Sequence, residues 1–231
     1  LVSAAQDDLE LWERGLLDEL FRLVLAGLDQ PELTGSTATS LIDRRRAEAI
    51  AIAPASSALA DRIALAPLSY LLGEEPASIV RQVGLIEPIP TRGRFRVEVT
   101  PEAAGGWRVE VGGRDQIGLL ALVTGVLEDA RLDVDDALIA TWGDGGALQA
   151  FRVQTDTVGV APDPDAIVDA LVGANNRELT AASVPDAVIT FDDVASPWHT
   201  IAEVRATDRR GLLHALAVAF AAAGADVHAA H

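Results

Sequence analysis

The 231-residue chain contains no cysteine, no methionine and no lysine, and its 18 basic residues are all arginine. Without cysteine there can be no disulfide framework, thiol nucleophile or thiolate metal site. Without lysine there is no catalytic amine. Positive charge is scarce as well: 35 acidic residues leave a formal net charge of -17. Nucleic acid and anionic membrane surfaces are therefore excluded as partners, because both carry negative charge themselves. No apolar run reaches the roughly 20 residues of a membrane-spanning helix, and no basic stretch followed by an apolar one opens the chain as a secretory signal would. The cytoplasm is the expected location. The Gly-x-Ser-x-Gly, Walker, His-Glu-x-x-His and dinucleotide-binding patterns are missing too, so no catalytic residue is assigned and no cofactor is expected. The start at Leu1 and the absence of methionine fit a segment cut from a longer protein. What remains is 49% hydrophobic, enough to bury a sizeable core.

A short stretch occurs twice. Asp115-Gln116-Ile117-Gly118-Leu119-Leu120 returns as Asp208-Arg209-Arg210-Gly211-Leu212-Leu213, 93 residues later and in register without a gap. Each copy follows a strand-like run (107–111 and 200–204) and leads into an apolar helical run that ends in Asp-Val, at Asp133-Val134 and Asp226-Val227. A fixed offset with the same punctuation marks a duplicated supersecondary unit.

The first 92 residues read as helical. Asp7 and Asp8 can cap a helix with Leu9, Trp12, Leu16, Leu20, Val24 and Leu28 on one side, and Gln30-Pro31 ends it. Thr34 to Ser40 reads as a small polar linker. Further helices are expected at Leu41 to Ile52, from a cap at Ser56 to Leu65, and at Ala77 to Ile86, with Arg44, Arg45 and Arg46 on a solvated face. From Arg94 the period falls to two: Phe95, Val97 and Val99 alternate with Arg96, Glu98 and Thr100. A hairpin returns through Trp107 to Val111; a helix over Ile117 to Ala130 should pack on the sheet through Ile117, Leu120, Val123 and Leu127. Strands at Leu132 to Trp142 and Ala147 to Gln154 are joined by Gly143-Asp144-Gly145-Gly146. Pro164 opens a second helix to Ala174, and a closing strand is expected near Leu179 to Val184. The fold class is thus α+β, a ferredoxin-like βαββαβ sheet covered by helices on one face, with Val188 to His231 repeating its first half. The expected division is 1–92 helical, 93–185 first unit and 186–231 second unit.

Asp115 and Asp208 stand where a helix N-cap belongs, satisfying orphan N–H groups. Gly118 and Gly211 either let helix and sheet approach closely or leave a helix start bare for an anionic or zwitterionic small molecule. Asp133, Asp135 and Asp136 open a strand, either as a solvated end or as acceptors for an ammonium group. His199, His214, His228 and His231 all fall in the second unit. A metal site is nevertheless not expected, because His228 and His231 would lie on opposite faces of a strand.

With its two Asp-x-x-Gly-Leu-Leu units, the chain resembles a tandem of ACT modules, small regulatory domains that bind amino acids between paired units. It is more narrowly similar to the C-terminal part of the bifunctional uridylyltransferase/uridylyl-removing family that acts on the PII nitrogen signal protein. Trp12 to Leu20 and Pro67-Leu68-Ser69-Tyr70-Leu71-Leu72 resemble that family's helical lead-in. The resemblance implies an amino-acid ligand, glutamine above others, held by Asp115, Gln116, Gly118, Leu119, Asp208, Arg209, Arg210, Gly211, Leu212, Asp226 and Val227. It also implies PII as partner of the parent chain, and ACT pairing within a chain or in a homodimer. Gln116-Ile117 stands where Arg-Pro is common in the family, which shifts the ligand expectation toward Asp208-Arg209-Arg210. The family's nucleotidyltransferase and hydrolase motifs are absent from these 231 residues. Two other readings are a tandem ACT binding protein without catalytic domains and the regulatory tail of an amino-acid biosynthetic enzyme.

Overall fold

A computed structural model of the chain describes residues 36–54, 57–103, 105–156, 159–175, 184–192 and 200–230. The helix expected over 7–28, His199, His231 and residues 179–183 of the expected closing strand lie outside these. Among the described residues four helices come first: α1 (Ser36–Ile52), α2 (Ser57–Ala64), α3 (Leu68–Gly73) and α4 (Pro76–Ile86). The supposed linker is therefore helical from Ser36 on. Its serines, threonines and alanine are acceptable helix residues once the apolar side of the following turns has a layer to pack on. Strands β1 (Arg96–Pro101) and β2 (Trp107–Arg114), helix α5 (Leu119–Asp129), strands β3 (Leu132–Thr141) and β4 (Gly146–Thr155), and helix α6 (Pro164–Ala174) follow. The last elements are β5 (Val188–Asp192), β6 (Ile201–Arg205), α7 (Leu212–Ala222) and the two-residue β7 (Ala229–Ala230).

The main sheet has the order β1-β2-β4-β3-β7, and every pairing in it is antiparallel. β5 and β6 form a separate two-stranded ribbon. This α+β arrangement is compatible with a ferredoxin-like fold, with one change of connectivity. The edge beside β2, where a closing strand would fit, is held by β1, paired from Arg96 with Gly112 to Pro101 with Trp107.

Both faces of the sheet are covered, where helices on one face only were expected. On one side Val109, Val111, Phe151 and Val153 meet Leu119, Val123 and Leu127 of α5 and Ile167 and Leu171 of α6. Ala217 and Val218 of α7 join this core. On the other side Ala140, Trp142 and Leu148 meet Ile42, Ile63, Tyr70, Leu71, Ile79, Val83 and Ile86 of α1 to α4. Each fully buried side chain of this size contributes about 1.5–3 kcal/mol. Tyr70 and Trp142 pack edge to face, with centroids 5.3 Å apart, a favoured aromatic geometry. The Tyr70 hydroxyl donates to Gln82 Oε1 at 2.6 Å, and Gln82 Nε2 donates to Glu110 Oε1 at 2.8 Å. Gly112 admits α4 here: a Cβ on it would lie 2.6 Å from the Leu85 carbonyl oxygen.

The arginine triplet divides. Arg44 is solvated, as expected, and reaches Glu48 only at 4.0 Å. Arg45 is instead turned inward, donating to the Leu71 carbonyl at 3.2 Å and to Glu75 at 3.0 Å. It ties α1 to the C-terminal end of α3 and to Glu75 at the start of α4, because the C-terminal carbonyls of that short helix need donors.

Candidate functional site

The two Asp-x-x-Gly turns fold alike. Leu119 N–H donates to the Gln116 carbonyl at 3.0 Å, and Leu212 N–H to the Arg209 carbonyl at 3.0 Å. Gly118 and Gly211 then sit at the N-cap with φ of 82° and 75°. Glycine is required there because a Cβ clashes in the left-handed region. The aspartates are therefore not the caps, and neither helix start carries a side-chain cap bond. Ile117, expected to pack on the sheet, is 59% exposed because the turn lifts it away before the helix begins.

Freed from capping, Asp115 faces the second unit. Its backbone N–H donates to the Gly145 carbonyl at 2.9 Å, which pins the turn to the β3–β4 hairpin. Its carboxylate lies 3.8 Å from His228 Nδ1, and His228 Nε2 lies 3.9 Å from Asp226. One donor atom from each of the three falls within 4.8 Å of the others. Burial, followed by the neighbouring Asp226 carboxylate, pushes the Asp115 carboxyl above the usual range, against the opposing pull of His228 and the Gln116 N–H. A cation placed among these acceptors would relieve both effects.

Between Asp115 and Asp226 lies a cavity of about 10 Å³, bounded also by Gly118, Leu119, Gln149, Ala217, Ala221 and Val227. That is room for a single water or a small polar head. Gln149, only 3% exposed, presents an Oε1 with no hydrogen-bond partner among the described residues. A buried amide oxygen left unpaired costs roughly 1–3 kcal/mol, so it marks a place where a donor belongs. A second cavity of about 330 Å³ begins on the other side of Asp115 and His228, walled by Pro67, Ser69, Thr141, Trp142 and Gly143. It is at the small end of the range for ligand sites.

The structure thus gathers Asp115, Gln116, Gly118, Leu119, Asp226 and Val227 into one place. Gln116 is anchored at its edge, accepting from Arg92 Nε and donating to Asn175 Oδ1, both at 3.0 Å. Asp208, Arg209, Arg210, Gly211 and Leu212 form the start of α7. There Arg209 pairs with Asp186 at 2.9 Å and Arg210 with Asp156 at 2.6 Å. Sequence reasoning missed Gln149, whose only signal is a polar residue inside the apolar run from Ala147 to Phe151. It also missed His228 as a companion of the two aspartates.

No family model and no solved structure matches the chain. Curated relatives of the chain carry the name bifunctional uridylyltransferase/uridylyl-removing enzyme, three of them as follows. The protein of Gluconobacter oxydans is 30% identical over 95% of this chain and 26% of its own length. That of Rhodospirillum rubrum is 30% identical over 64% of the chain and 18% of its own length. That of Bordetella pertussis is 28% identical over 94% of the chain and 28% of its own length. The chain spans about a quarter of the length of these relatives. Along nearly all its residues it therefore matches a C-terminal fragment of a bifunctional uridylyltransferase/uridylyl-removing enzyme.

Proposed function

We propose that this chain is the amino-acid-sensing region of such an enzyme, a tandem of ACT modules whose ligand, glutamine by resemblance, controls uridylylation of PII by catalytic domains elsewhere in the parent. The two modules pair inside one chain, through α5 against α7 and through β7 against β3. The observation that carries the reading is the unpaired Gln149 Oε1 in a cavity flanked by two carboxylates at a helix start. A zwitterion needs acceptors for its ammonium and N–H donors for its carboxylate. Asp115, Asp226 and Gln149 supply the first set, and the N-terminal turn of α5 supplies the second. The adjoining cavity takes the rest of the ligand.

Glutamine is expected to raise the melting temperature of the chain by mass action, with about 2.7 kcal/mol of stabilisation at a hundredfold excess over its Kd. Scanning calorimetry checks this. Asp115→Asn should remove most of the shift, since it discards the charge that holds the ammonium. A melting curve unmoved by millimolar amino acids of any kind would end the proposal.

The pH dependence has a definite sign. The Asp115 carboxyl titrates above the usual aspartate range and must be ionised to hold a cation. Affinity is thus expected to fall as the pH drops through that raised value, and Asp115→Asn should flatten the profile. In the unliganded chain the sign is opposite. A raised carboxyl pKa contributes stability when protonated, and that contribution is lost as the pH rises through it.

A further inference from the structure

The repeat carries two equivalent turns, and the chain closes one of them itself. At the 93-residue spacing Asp115 corresponds to Asp208, Gly118 to Gly211, Asp133 to Asp226 and Val134 to Val227. Arg131 corresponds to Gly224, and both are left-handed, with φ of 59° and 75°. The backbone is therefore repeated down to its exceptional residues, and each turn meets the end of the other unit's helix. What differs is the side chain there. At the first turn the facing helix offers Ala221, whose methyl is part of the cavity wall. At the second the corresponding residue is Glu128. Its carboxylate lies directly on the turn: a Cβ on Gly211 would be 2.4 Å from Oε1 and 3.1 Å from Oε2. The start of α7 favours a negative charge. Arg210, paired with Asp156 at 2.6 Å and donating to the Arg131 carbonyl at 3.4 Å, lashes the same turn to the far ends of β4 and α5.

We infer that the tandem holds one open amino-acid site, at Asp115 to Leu119, and one latent copy, at Asp208 to Leu212, in which Glu128 occupies the place of the ligand's carboxylate. This rests on the amino-acid reading above. Glu128 is a tethered competitor, present at the turn at a high effective concentration whatever the free ligand does. The same comparison locates the ligand's own carboxylate in the open site, over Gly118 and opposite Ala221. The ligand class is an α-amino acid carrying both charges, since a carboxylate alone would find Asp115 and Asp226 repulsive.

Isothermal titration of the 231-residue chain with glutamine tests the assignment, with circular dichroism confirming that each variant is folded. The wild type should bind one equivalent. Asp115→Asn should weaken binding by about tenfold or more, the loss expected for a charge-assisted hydrogen bond. Asp208→Asn should leave affinity essentially unchanged. Glu128 is exposed, so Glu128→Ala should fold normally and add a second equivalent, sensitive to Asp208→Asn and weaker than the first, because the residue that would match Gln149 at the 93-residue spacing is not among the 231. Two equivalents in the wild type, sensitivity to Asp208→Asn in place of Asp115→Asn, or a stoichiometry unmoved by Glu128→Ala would each overturn the inference while leaving amino-acid sensing intact. Absence of binding by every amino acid to every folded variant would remove the sensing reading, and the inference with it.

Discussion

Replacing Glu110 by alanine is expected to destabilise the chain by about 3–5 kcal/mol, the cost of removing one partner from a buried ion pair. Glu110 is fully buried on β2, facing the helical layer. It accepts two bonds from Arg81, at 2.8 and 3.1 Å, one from Arg108 at 3.1 Å and one from Gln82 at 2.8 Å. Truncation takes from Arg81, Arg108 and Gln82 the acceptor they share, leaving among the described residues only Glu98 at 3.5 Å for Arg81 and only Glu74 and Glu102 for Arg108. Whole domains are stable by only about 5–15 kcal/mol, so the variant should lose a large part of its urea midpoint. Glu110→Gln keeps an acceptor for Gln82 and should fall between the two. A loss below about 1 kcal/mol for Glu110→Ala would mean that water solvates the two arginines as well as the carboxylate does.

The second large effect is expected at Phe151. This side chain is fully buried in the core beneath α5, and its strand register sets it opposite Val109 on one side and Ala137 on the other. Phe151→Ala should cost about 3–5 kcal/mol, from lost burial and the cavity left behind. Phe151 follows Gln149 by two residues on β4, so both point to the same face of the sheet. The hole would open under the helix whose first turn bounds the candidate site. Glutamine should therefore shift the melting temperature of this variant less than that of the parent, measured at a temperature where the variant is still folded. An equal shift would show that the helix start is held by its own turn and not by the core beneath it.

The strands and α5 to α7 were legible because their signals are local: period two from Phe95 to Val99, a glycine-rich hairpin at Gly143 to Gly146, a proline at the first turn of α6. Less legible was anything that depends on what lies across a face. Glu110 alternates with Val109 and Val111 as a solvent-facing residue should, and only the arrival of α4 buries it. Even so, Ala147 to Phe151 reads as nearly unbroken apolar sequence, the mark of a strand buried on both faces. That run carries a signal for a second covering layer which the expectation of helices on one face left unused, and it holds Gln149. The Asp-x-x-Gly units located the turns correctly, yet gave the aspartate the capping role, because the left-handed glycine that displaces it is a property of backbone angles. Neither turn by itself discloses that Glu128 and Ala221 stand opposite them.

The walls of the larger cavity have an implication for signalling. Pro67 and Ser69 belong to the start of α3, Thr141 to Gly143 to the end of β3, and Asp115 and His228 to the two units of the repeat. An occupant that fills the space touches all of these at once. The helical layer and the repeat thus share the walls of one space, with no lever through the sheet between them. An occupied cavity acts as a wedge between the start of α3 and the repeat, an empty one as slack. The amides that should report the difference are those at the start of α3, and hydrogen exchange there would register an occupant of a space shared with His228 in the second unit of the repeat.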